Sequence, residues 1–66
     1  MENKLIYVCC KIDQSGNEKK LGILTEKQIE TRRWWDYTRK MLVPVEKLEN
    51  LNIGNVDIYL DMYEIY

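Results

Sequence analysis

The hydrophobic pattern changes period along this chain. Residues 4–12, KLIYVCCKI, are rich in β-branched and aromatic side chains and free of Gly and Pro, which predicts a first strand. Ile6, Val8, Cys10 and Ile12 fall on one face of it, and Leu5, Tyr7, Cys9 and Lys11 on the other. A strand apolar on both faces belongs inside a sheet rather than at its edge. Residues 13–18, DQSGNE, form a turn cluster in which Gly16 and Asn17 can take positive φ. Residues 19–24, KKLGIL, then return as the second strand of a hairpin, and Gly22 within them predicts a bulge or a close backbone approach.

Residues 25–28, TEKQ, match the capping box, in which the Thr hydroxyl and the Gln side chain satisfy opposing backbone amides. A helical turn over about residues 26–31 follows. Residues 30–45, ETRRWWDYTRKMLVPV, hold both tryptophans, all three arginines and the only proline. Read with period two, Arg33, Trp35, Tyr37, Arg39, Met41 and Val43 share one face, and Arg32, Trp34, Asp36, Thr38, Lys40 and Leu42 the other. This predicts a strand from about Arg33 onward, ended by Pro44, which has no backbone donor and disfavours helix at Val43. In residues 45–51, VEKLENL, the apolar positions Val45, Leu48 and Leu51 have helical spacing. Residues 52–55, NIGN, read as a turn. Residues 56–66, VDIYLDMYEIY, alternate and predict an acidic last strand, with Val56, Ile58, Leu60 and Met62 inward and Asp57, Tyr59, Asp61 and Tyr63 outward.

These elements imply a mostly β, α+β domain: a small curled antiparallel sheet, or a partly open barrel, of about four strands with one or two short helices. The alternative is one helix over residues 26–41 packed on three strands.

At 66 residues the chain makes a single domain over 1–66, and a domain this small buries only about 60% of its unfolded surface. Phenylalanine is absent, so Tyr and Trp must supply the aromatic volume, and one tryptophan, Trp34 or Trp35, is expected in the core. Net charge is −1, but residues 1–41 carry nine basic against six acidic side chains, and residues 42–66 carry one against five. Either the acidic last strand neutralises the basic middle one, or the molecule has one basic and one acidic face. No signal segment precedes the first strand and no apolar run approaches the roughly 20 residues of a membrane span, so a cytoplasmic protein away from membranes is expected. Adjacent Cys9 and Cys10 would point to opposite faces of a strand, which suits two free thiols.

Catalysis is hard to assemble from these residues. Histidine is absent, Ser15 is the only serine, and the two sulfurs cannot complete a zinc set. No enzyme, cofactor or metal site is expected. On a strand Asp57 and Asp61 would stand about 13 Å apart, too far for a paired-carboxylate site. Two binding readings remain. The first is a protein-binding module that docks through Trp34, Trp35, Tyr37, Arg39, Asp57, Tyr59, Asp61 and Tyr63, with homodimer formation at a free strand edge as a variant of it. In character, with no shared motif, such a domain resembles the minimal acidic proteins of phages and mobile elements that block host machinery, which implies a regulator or inhibitor. The second is a single-strand nucleic-acid-binding barrel, with Trp35 and Tyr37 stacking on bases and Arg32, Arg33, Arg39 and Lys40 on phosphates.

Overall fold

The computed structural model describes residues 2–30 and 34–66. Among these residues four antiparallel strands form one open sheet in the order β2-β1-β3-β4. They are β1 (Asn3–Ile12), β2 (Glu18–Thr25), β3 (Tyr37–Pro44) and the two-residue β4 (Glu64–Ile65). Helix α1 (Glu26–Ile29) follows β2, a 3-10 helix (Val45–Asn50) follows β3, and α2 (Val56–Tyr63) leads into β4. The mostly β expectation stands, with the sheet open rather than closed into a barrel. β1, apolar on both faces, is central.

Local chemistry explains the first half of the chain. Gly16 takes φ 83° in the hairpin turn, a conformation that costs a residue without a side chain little. The Asp13 carboxylate accepts from the Ser15 and Asn17 amides at 2.8 and 2.9 Å. The β1/β2 register slips between Cys9, opposite Gly22, and Cys10, opposite Lys20. Leu21 is thus the extra residue of a bulge. Thr25 caps α1 through both arms of the capping box.

One expectation is overturned. Residues 56–63 form a helix, and the acidic strand shrinks to Glu64–Ile65. Val56, Tyr59, Leu60 and Tyr63 stand at i, i+3, i+4 and i+7, so the same run also carries a helical stripe. The deciding factor lies outside the segment: one face of β1 and β3 carries Ile6, Val8, Met41 and Val43, all buried, and a single sheet needs a second layer to cover such a face. α2 supplies that layer with Val56, Tyr59 and Leu60, while Leu48 and Leu51 close the margin.

The tryptophans also depart from expectation. The main core holds Ile6, Val8, Cys10, Met41, Val43, Val56, Tyr59 and Leu60, with Tyr37 and Tyr63 packed against it. Trp34 and Trp35 precede β3, which starts only at Tyr37, and neither belongs to that cluster. Tyr59 serves as the large aromatic of the core, and its hydroxyl donates to the Lys47 carbonyl at 3.1 Å. Among the described residues no helix is long and apolar enough to cross a membrane.

Candidate binding surfaces

Strand pairing sorts the side chains onto two faces. Residues directly opposite in an antiparallel ladder share a face, so Glu18, Lys20, Tyr37, Arg39 and Glu64 fall on the side covered by α2. They form one connected ion cluster at the end of the core. Arg39 makes a two-pronged contact with Glu64, Nε to Oε2 and Nη2 to Oε1, both at 2.6 Å. Its Nη1 reaches Glu18 Oε1 at 2.7 Å. Tyr37 donates its hydroxyl to Glu18 Oε2 at 2.5 Å. Lys20 Nζ lies 2.9 Å from Glu18 and 2.6 Å from Asp57 on α2.

The protonation states follow from these contacts. The Tyr37 hydrogen bond, with Lys20 and Arg39 beside it, holds the Glu18 carboxyl down at about 2, although partial burial opposes this. The same bond lifts the Tyr37 phenol to about 12. Arg39 lowers the Glu64 carboxyl. The cluster is thus a clasp joining β2, β3, β4 and α2.

The opposite face carries Leu5, Tyr7, Cys9 and Lys11 from β1, Lys19, Gly22 and Leu24 from β2, Thr38, Lys40 and Leu42 from β3, and Ile65 from β4. No carboxylate stands among these strand positions. Cys9 and Leu24 are buried there. Trp34 lies over Gly22 so closely that a Cβ at that glycine would be 3.1 Å from its Cη2, so Gly22 provides the close approach, next to the bulge at Leu21. Trp35 meets Trp34 edge-on, with centroids 5.2 Å apart. The sheet therefore has one face whose carboxylates and cations pair with each other and one basic aromatic face; Glu64 of the last strand meets Arg39 of the middle one, so part of the basic charge is neutralised as the first of the two charge arrangements has it.

The sequence-derived candidates scatter across these surfaces. Trp34, Trp35 and Lys40 lie with the basic face, whereas Tyr37 and Arg39 are engaged by carboxylates on the other side; Arg32 and Arg33 lie outside the described residues. Tyr59 and Tyr63 turn inward on α2, with ring centroids 6.0 Å apart, while Asp57 and Asp61 stay exposed. Ile58 and Met62, expected inside, are instead exposed on the outer surface of α2. Testing the 3.6-residue period on residues 56–63 would have offered this outward placement as an alternative to the strand, without deciding between the two. Burial raises the Cys9 thiol, and chiefly burial raises the Cys10 thiol to about 11, the opposite of an activated nucleophile. No protein-family model matches this chain, and no curated protein and no solved structure matches it either.

Proposed function

We propose that this is a non-enzymatic protein-binding module that docks the outer face of α2 into an apolar slot with a basic rim on a partner protein, acting as a regulator or inhibitor of that partner. The observation behind this reading is the exposure of Ile58 and Met62, at 61% and 55%. They stand at i and i+4, on one line of the helix. Single exposed apolar residues are ordinary, but a paired helical stripe is the form in which helices enter grooves. Asp61 lies beside that stripe, and no ion pair involves it among the described residues. Met62 adds an adaptable side chain suited to an interface.

The same charge argues against self-association through this face. A twofold interface would bring together the two copies' Asp61, which has no ion pair among the described residues, whereas Asp57 is already paired with Lys20, and like charges across an interface are unfavourable. A basic partner meets the opposite condition.

Photo-crosslinking in the native host tests this, with a benzophenone side chain at position 62 and a control at position 14. A single adduct at 62 alone is expected, competed away by the purified chain and not by the doubly substituted Ile58→Lys, Met62→Lys chain. Equal competition by both chains, or an adduct of two copies of this chain, would overturn the proposal.

A further inference from the structure

The opposite side of the molecule carries a separate feature. An open cleft of about 420 Å³ lies at the hairpin end of the basic face, lined by Lys11, Lys19, Ile12, Leu21, Asp13 and Trp34 among others. Lys11 and Lys19 are direct cross-strand partners, and like charges in that position are unfavourable unless something negative lies between them. Among the described residues neither lysine has an ion pair. Asp13 also lines the cleft and keeps its negative charge, with its Oδ1 accepting from the Ser15 and Asn17 amides of the turn. Trp34 is 48% exposed, yet the contact of its ring with Gly22 and the edge-on Trp35 hold it in place. An indole held beside two ammonium groups, which outnumber the one carboxylate lining the cleft among the described residues, suits a ligand with a flat ring and an adjacent anion.

We infer that this cleft is a subsite for single-stranded nucleic acid, with one base stacked on Trp34 and the neighbouring phosphates straddled by Lys11 and Lys19. Stacking on an aromatic side chain accepts any base, so the site is sequence-tolerant. Two cationic contacts give modest affinity with a shallow salt dependence, a slope of about −1.4 in log K against log salt for a single strand. The strand positions of this face carry no carboxylate, and Asp13 at the turn is the acid that opposes the phosphates and keeps the affinity modest. This site is independent of α2 and does not rest on the docking reading above.

The test is a titration of the full chain with short oligo(dT), followed by tryptophan fluorescence at about 50 and 200 mM salt. Quenching is expected, with about sevenfold weaker binding at the higher salt. Lys11→Gln and Lys19→Gln should each cut that salt effect to about threefold. Trp34→Ala should weaken binding about tenfold or more, read by anisotropy of a labelled strand. Gly22→Ala, which displaces the indole without removing it, guards against a folding artefact and should weaken binding less. A hexaglutamate peptide carries charge without bases and should not quench. Quenching by hexaglutamate equal to that by oligo(dT), absence of quenching by oligo(dT), or unchanged affinity in Trp34→Ala would each overturn the assignment. Ile58→Lys should leave the titration unchanged, which separates this site from the α2 surface.

Discussion

Glu18 has more polar partners than any other single side chain in the clasp, accepting from Tyr37, Arg39 and Lys20 at once. Its carboxyl sits at about 2 in the fold against an ordinary 4.5. A carboxyl with a depressed folded value contributes stability that is complete above the unfolded value and lost as pH falls through the folded one. The window is therefore about pH 4.5 down to 2. Since Glu18 and Arg39 side chains are 26% and 30% exposed, solvent screens part of the effect, leaving on the order of 1–2 kcal/mol. Glu18→Gln should destabilise the protein by that amount at neutral pH and flatten the acid limb of its stability curve. An acid limb as steep as the parent's would show that Glu18 does not carry it. This partnership was not legible in the sequence, because Glu18, Arg39 and Glu64 are brought together by strand pairing across more than 20 positions.

Helix α2 shows how one segment can satisfy two periods. As a strand, Ile58 and Leu60 would share a face and respond alike to truncation. In the helix Leu60 is buried and Ile58 is exposed. Leu60→Ala should therefore cost about 2–5 kcal/mol, as for a core leucine, while Ile58→Ser stays within about 0.5 kcal/mol. Urea unfolding midpoints decide between them, and equal losses would restore the strand. The elements read correctly from sequence are those with local signals: the Gly16 turn, the bulge at Leu21 beside Gly22 and the Thr25 capping box each depend on a few adjacent residues. Residues 56–63 had no such arbiter, since apolar side chains occupy 56, 58, 59, 60, 62 and 63.

At the scale of the whole molecule, β1 separates two layers. Cys10 lies in the core beneath α2, and Cys9 is buried on the basic face. Both are free thiols with no exposed surface, so a thiol reagent can reach either only when its layer opens. A domain of this size should open as one cooperative unit, and both cysteines should label at one rate that rises with urea as global unfolding does. Two distinct rates would mean that the layers open separately. The sequence by itself determined the strand-rich class, the hairpin, the central place of β1 and the division of Tyr37, Arg39, Met41 and Val43 from Thr38, Lys40 and Leu42. Those features follow from side-chain alternation and turn chemistry, which act over a few residues. Tertiary structure alone decided that residues 56–63 are helical, that Tyr59 rather than a tryptophan is the large aromatic of the core, and that Arg39 is spent on Glu18 and Glu64. Each of those depends on what the rest of the chain leaves uncovered: an apolar sheet face that must be buried, and a guanidinium that must find its carboxylates at its edge.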